Sequence, residues 1–597
     1  MSIVPLNKVT LYGPSAEKDA ALDGLQRLGC LHLNDLRPGA AEAAHVAASG
    51  TDARGAIQYL QDSPVRRRAI RRKADIDLQT VVRDTLDVRD RSRGLAEERE
   101  QLRKWIADLE PWGNFEMPAW AREGALRFWF YIVPHHLMGG MRGIDLPWSV
   151  VARDNRFSYA VVVADDQPPG MPVAPVFFEP RSLSTLRVRL EQVERELEEL
   201  DYRRIGLTLY INLLRQDLDE ADDRAARERA ALGTLEQDQV FAVQGWAPCE
   251  RISVLRQFAA ANRLALTIEA PGPRDTPPTL LQNPQTLRGG EGMVMFYKTP
   301  GYSMWDPSEM VFFSFAVFFG MIFSDAGYGL VLGIILLANW KRLGRSMGGS
   351  GWRGVLSALT ISSIVYGILA GAYFGWAPPK DSWLAALHIL DTENKGMMML
   401  ISIGMGVAHL SLANLVSAWR DRKSMAALSR VGWACIILGG FCAGVGNSYP
   451  NLARLFSLGL GGVGLGALLV IFFTCRHAFR LAPKALFARL LEGLHGITEI
   501  SKAFGDVLSY LRLFALGLAS IKLAEAFNSL AARCFAFEGA GVLLGLLLLV
   551  IGHSINFSMG VMGGVVHGLR LNVIEFFNWS LPEEGEQFQT FAKKAGV

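Results

Sequence analysis

Apolar positions follow two regimes along this chain. Up to about residue 290 they alternate, or recur every three to four places among charged residues; from Ser308 onward they merge into runs long enough to cross a bilayer. The first regime predicts two small α/β lobes joined by long helices. Strand, helix and strand read over Lys8 to Tyr12, Ala16 to Leu28 and Cys30 to Leu36, and a second lobe over Phe128 to Pro134 and Ser149 to Val163. The pattern recurs at Val240 to Trp246, Arg251 to Asn262 and Leu264 to Ile268. Between the lobes, Leu183, Leu186, Leu190, Val193, Leu197 and Leu200 step by three and four, and the seam resumes at Leu207, Ile211, Leu214 and Leu218. The basic helix around Ala56 to Leu109, ended by Glu110-Pro111, is the partner expected for a long antiparallel coiled coil over 56–110 and 181–233; a dimer interface is the alternative use of the seam.

The second regime holds clear spans at Gly354 to Gly375, Gly396 to Trp419, Val431 to Gly446, Phe456 to Cys475, about Lys484 to Phe537 and about Gly541 to Phe577. Ser308 to Asn339 fits one generous helix or two short ones. Basic residues cluster at Lys341, Arg342, Arg345 and Arg353, at Arg420, Arg422, Lys423 and Arg430, and at Arg476, Arg480, Lys484 and Arg489, which places those three loops in the cytoplasm. A single span at Ser308 to Asn339 would put the soluble part outside. Met1-Ser2-Ile3-Val4-Pro5 speaks against that, having neither the basic nor the apolar segment of a signal peptide. Two short spans turning at Ser324-Asp325-Ala326-Gly327-Tyr328-Gly329 give about eight transmembrane helices with both termini cytoplasmic. The expected division is a cytoplasmic α+β domain over 1–290, an α-helical membrane domain over 291–580 and a cytoplasmic tail over 581–597.

Composition adds mainly exclusions. Lys and Arg number 61 against 58 Asp and Glu, a net charge of +3, so nothing points to nucleic acid. The six cysteines form no CxxC and no metal-ligand spacing, which argues against a disulfide framework or a zinc site, and no cofactor is expected.

Two charges stand out against the apolar background. Arg512, in Ser509-Tyr510-Leu511-Arg512-Leu513, and Arg570, in His567-Gly568-Leu569-Arg570-Leu571, each sit in a long apolar helix. An arginine at the centre of a membrane helix costs roughly 2.5 to 3.5 kcal/mol on insertion scales and calls for a partner. Glu492, His495, Glu499, Lys502, Asp506 and Ser509 form one polar face leading to Arg512; His553, Asn556, Gly560, Gly563, His567 and Arg570 repeat the three-four spacing on the next helix. With a turn near Glu538-Gly539-Ala540-Gly541, both arginines reach similar depth. The arms of about 27 residues, roughly 40 Å, exceed a hydrocarbon core of roughly 30 Å, so the helices tilt or their turn lies outside the bilayer. A fixed guanidinium lowers the pKa of a nearby carboxylate, so an acid carried past it should release its proton there. The face from Glu492 to Ser509 then reads as a cytoplasmic route, and Asp325, His409, His553 and Glu525 as candidates for the outer one. The alternative is that these groups pair among themselves and hold tilted helices together, with Asp325 capping a turn.

The motifs Tyr510-Leu511-Arg512-Leu513-Phe514-Ala515-Leu516, His567-Gly568-Leu569-Arg570-Leu571 with Glu575 following, Phe319 to Gly329, and Gly245-Trp246-Ala247-Pro248 resemble those of the membrane stator subunit of rotary V-type and A-type ATPases, subunit a or subunit I. The resemblance runs the length of the chain in order. It implies an N-terminal half that holds peripheral stalk subunits of the E/G type, with a central-stalk-linked subunit as a further contact, and a C-terminal half facing a proteolipid ring whose carboxylates pass the arginines. It implies ion translocation without bond chemistry in this chain, Arg512 as the essential arginine, Arg570 as its companion, polar channel roles for Glu499 and Asp506, and a match for His409 to a histidine in the fourth span. Ser520 and Gly560 depart from it, standing where eukaryotic members carry ionisable residues. The shorter length suggests a prokaryotic plasma membrane. A secondary transporter of an anionic substrate and a non-transporting membrane scaffold are the readings from other classes.

Overall fold

The computed structural model describes residues 2–37, 50–70, 76–115, 126–141, 143–178, 181–344, 349–379, 381–474, 496, 498–537 and 540–594. In chain order the front part comprises β1 (Leu6–Pro14), α1 (Lys18–Leu28), β2 (His32–Asn34), α2 (Thr51–Gln61), α3 (Leu78–Leu109), β3 (Arg127–Pro134), β4 (Trp148–Arg153) and β5 (Phe157–Ala164). There follow α4 (Leu183–Leu207), α5 (Ile211–Gly233), β6 (Leu235–Gln237), β7 (Val240–Pro248), α6 (Ile252–Ala261) and β8 (Ala265–Glu269). The chain divides into two units, one of Met1–Tyr12, Cys30–Asn34 and Gln244–Thr590, the other of Gly13–Gly29, Asp35–Val243 and Phe591–Val597.

In the second unit the apolar seam is used as its spacing dictates. Leu183, Leu186 and Val193 of α4 pack with Leu102 and Leu109 of α3, while Leu200 and Leu207 pack with Val81 and Val88, so the two helices run antiparallel. Asp77 caps α3 through Gln79 N at 3.1 Å, and Ser182 caps α4 through Thr185 N at 3.4 Å. The helix expected from Ala56 to Leu109 is instead two, α2 and α3. β3, β5 and β4 form an antiparallel sheet in that order. In the first unit the first and third sequence patterns merge: the sheet order is β2-β7-β1-β8, with Leu33 opposite Gly245 and Thr10 opposite Thr267. A Cβ at Gly245 would lie 2.4 Å from the His32 carbonyl, so only glycine fits that crossing.

The rest of the first unit is helical: α7 (Arg288–Tyr297), α8 (Ser308–Phe323), α9 (Ala326–Leu343), α10 (Gly349–Ala370), α11 (Lys395–Arg420), α12 (Ala426–Ser448), α13 (Ala453–Phe473), α14 (Ile500–Leu508), α15 (Leu511–Phe535), α16 (Ala540–Arg570) and α17 (Phe577–Ser580). Among the described residues six helical stretches are long and apolar enough to cross a membrane, and α8 is a shorter apolar helix. Ser308 to Asn339 is two helices because Ser324 takes a left-handed conformation, φ 49°, and Asp325 accepts from Tyr328 N at 3.0 Å to start α9. Asp325 also accepts from Phe374 N and Gly375 N, each at 3.0 Å, which holds the α8–α9 turn and the loop after α10 at one end of the bundle.

The glycine face of α16 serves α8. A Cβ at Gly560 would come within 2.8 Å of the Phe323 ring, at Gly564 within 2.5 Å of Phe319, and at Gly568 within 3.2 Å of Phe315. Three aromatic rings therefore seat on one glycine ladder, which takes the buried part of that face away from any external partner. The final residues fold back. In the first unit Thr279 N donates to Glu586 O at 2.7 Å, Phe588 N to Thr279 O at 3.0 Å and Gln589 N to His32 Nδ1 at 2.9 Å, while Phe588 packs on Leu6 and Trp246. In the second unit Lys593 N donates to Gln26 O at 3.0 Å and Lys594 N to Asp223 Oδ1 at 2.8 Å.

Candidate functional site

Both arginines stand at irregularities in their helices. Before Arg512 the hydrogen-bond ladder tightens: Tyr510 N bonds Val507 O at 3.2 Å, Arg512 N bonds Ser509 O at 3.3 Å and Leu513 N bonds Tyr510 O at 2.9 Å, separating α14 from α15. After Arg570 the ladder widens into a π segment, Leu571–Phe576. One residue braces both. His409 of α11 shares a 2.8 Å hydrogen bond with the Tyr510 hydroxyl through Nδ1, and its ring stacks on Phe576 at 4.3 Å and 9°.

The π segment decides where Glu575 points. Five residues at α-helical twist would turn Glu575 about 140° away from Arg570, whereas the wider π turn brings residues five apart toward the same side of the helix. Glu575 is 2% exposed, with Oε1 3.9 Å from Arg570 Nε, and Arg512 lies within electrostatic reach of both. The arginines thus have a carboxylate neighbour within the chain, which the spacing of the sequence leaves unassigned. That neighbour does not saturate the cluster. Arg512 Nη1, His567 Nδ1 and Glu575 Oε2 are buried atoms without a hydrogen-bond partner among the described residues. A buried unpaired donor costs about 1 to 3 kcal/mol, more when charged, and here donors and acceptor share one site.

The remaining candidates separate into groups. Asp506 Oδ2 accepts from Trp579 Nε1 at 2.8 Å, which ties α14 to α17; Glu499 is exposed, and half-buried Ser509 donates through Oγ to Gly505 O at 3.1 Å. Glu492 and His495 lie outside the described residues. Glu525 is exposed and pairs with Lys522 at 3.0 Å, which also reaches Glu393 at 2.6 Å. The outer candidates divide: His553 bonds the Tyr328 hydroxyl at 2.6 Å and Asn528 at 3.0 Å, Asp325 is committed to three backbone N–H groups, and His409 joins the arginine-flanking residues. Tyr510, Trp579, Tyr328 and Asn528 are absent from the sequence-based site, while Asn556 enters it only as a member of the polar stripe. The tyrosines and Trp579 lie in largely apolar runs where pattern alone reads them as core.

Fold and site define a multi-pass helical membrane protein with two guanidinium groups and one buried carboxylate at the ends of its last two long helices. No family model matches the chain. It is similar to the V-type ATP synthase subunit I of Chlamydia pneumoniae, 27% identical with 87% of this chain and 86% of that protein covered. It is 28% identical to V-type ATP synthase subunit I 1 of Treponema pallidum over 96% of this chain and 97% of the relative, and 26% identical to A-type ATP synthase subunit I of Methanocaldococcus jannaschii over 67% and 63%. Over most of its length the chain is similar to the subunits I of V-type and A-type ATP synthases.

Proposed function

We propose that this chain is the stator subunit of the membrane sector of a rotary V/A-type ATP synthase or ATPase, in a prokaryotic plasma membrane with both termini cytoplasmic. On this reading α8 and α9 cross as a short pair, giving eight crossings, and the paired helices α3 and α4 form a coiled-coil strut in a cytoplasmic domain that holds peripheral stalks. Arg512 and Arg570 face a ring of proteolipid subunits, each bearing a carboxylate. The observation that carries the reading is the incomplete pairing of Arg512. A half-buried guanidinium beside a second arginine and a single carboxylate favours the ionised form of any further carboxylate that passes, so a rotor site cannot go by with its ion still bound. Glu575 softens the field of two adjacent cations, keeping the cluster from repelling its own arginines. The driving force such a motor meets is about 2.3 kcal/mol per charge per 100 mV.

Arg512→Gln keeps much of the shape and removes the charge. In the assembled complex reconstituted into vesicles, ATP-driven ion pumping is expected to be abolished while subunit composition stays near wild type. Full coupled transport by the variant would overturn the assignment.

A further inference from the structure

The outer half of the last two long helices carries a hydrogen-bond chain whose direction can be worked out atom by atom. Asn528 Nδ2 donates to the Phe374 carbonyl at 2.8 Å, which leaves Oδ1 to accept. Oδ1 lies 3.0 Å from His553 Nε2, so that nitrogen carries the proton and Nδ1 presents its lone pair. Nδ1 is 2.6 Å from the Tyr328 hydroxyl, which must donate. The hydroxyl oxygen in turn accepts from Asn556 Nδ2 at 3.1 Å, and the same amide nitrogen donates to Ser520 O at 2.8 Å, which fixes its orientation. Asn528 and His553 are half-buried, and Tyr328, Asn556 and Ser520 are buried. Ser520 lies eight residues beyond Arg512 on α15, roughly 12 Å along the axis.

We propose that Tyr328 and His553 are the proton-transfer pair of the outer route and that Asn528 and Asn556 set its direction, so that the coupling ion is the proton. This rests on the stator reading above. Asp325, the nearby carboxylate, is held by three backbone N–H groups as a structural cap, and within this hydrogen-bond chain the tyrosine and the histidine are the described groups with transferable protons. The step balances as a relay. Tyr328 gives its hydroxyl proton to His553 Nδ1 and takes one from a protonated water on its inner side, which is left neutral; the resulting imidazolium releases its Nδ1 proton to external water while Nε2–H stays on Asn528 Oδ1, which restores the starting tautomer. In the opposite direction the same transfers run in reverse. Among the described residues, Asn528 Oδ1 and the Tyr328 oxygen each accept an N–H group, from His553 and Asn556.

The test uses the complete complex in vesicles, with Arg512→Gln run alongside. Tyr328→Phe removes one hydroxyl, and proton flux is expected to fall by roughly 100-fold, with subunit composition unchanged. His553→Ala is expected to fall similarly and to be rescued by added imidazoles, with rescued flux rising with the base strength of the imidazole. Should Tyr328→Phe fail to assemble, the His553→Ala series decides. Wild-type flux in Tyr328→Phe, rescue of His553→Ala by thiazole as well as by imidazole, or Na⁺ transport independent of both residues would overturn the relay while an inactive Arg512→Gln leaves the stator reading standing. An active Arg512→Gln would remove that reading itself.

Discussion

Two carboxylates carry their charge in opposite ways. Glu575 is enclosed by helices and meets Arg570 at 3.9 Å, an incomplete pairing in a site that must accept another anion on the proposed reading. Asp23, at the surface of the second unit, receives Arg27, Arg227 at 2.9 Å and Lys593 at 2.9 Å. The hydrogen bond from Lys593, then that from Arg27, holds its carboxyl down at about 2. An unfolded aspartate titrates at about 3.9, so the unfolded chain takes up this proton first as the pH drops. The stabilisation from Asp23 is therefore complete above the unfolded value and is lost as the pH falls through the folded one. Thermal midpoints of wild type and Asp23→Asn should differ above about pH 4 and converge toward about pH 2; a difference that stays constant across that window would mean the carboxylate charge is not what stabilises.

At the scale of elements, apolar run length and the three-four seam were enough to read most helices, and the hairpin residues Ser324 and Asp325 were legible because a serine and an aspartate interrupt an otherwise apolar run. The two irregularities beside the arginines were not legible. The tightened turn before Arg512 depends on Tyr510 reaching His409, and the π segment depends on Phe576 stacking on the same ring; both partners lie far away in sequence. Of the glycines in the three-four stripe, Gly560 belongs to the packed face, whereas Gly564 and Gly568 complete it at a four-residue spacing and Gly563 meets only Ile322 at 3.9 Å. The packing is testable. Gly564→Val would place a side chain where Phe319 lies 2.5 Å from a Cβ, and overpacking of this kind costs about 1 to 3 kcal/mol. The thermal midpoint should drop, and Gly564→Val combined with Phe319→Ala should recover much of the loss; equal midpoints for Gly564→Val and wild type would show that α8 does not rest on that face.

Over the whole molecule, the tail departs furthest from its pattern. Residues 581–597 are expected as a cytoplasmic tail, and Phe588 and Phe591 among acids and glutamines give no periodicity from which packing can be read. In the first unit Phe588 fills the space between Leu6 and Trp246, and the backbone beside it is held by Thr279 and His32. Residues 586–589 thus complete the edge of a core that contains β1. Their contribution follows from the buried ring: a Phe→Ala change at such a position costs about 3 to 5 kcal/mol. His32 adds a condition, since Nδ1 can accept from Gln589 N only while unprotonated, and burial pushes its pKa below the usual histidine value against the pull of Glu586. A neutral histidine favoured in the folded state gives stability that is present above about pH 6.5 and declines as the pH falls below it. Hydrogen exchange should therefore accelerate at residues 6–11 and 279–281 in Phe588→Ala, and in wild type more at pH 5 than the intrinsic rate change accounts for, while α11 and α12 keep their protection. Unaltered exchange at 6–11 in Phe588→Ala would mean that the strands hold their edge without the tail.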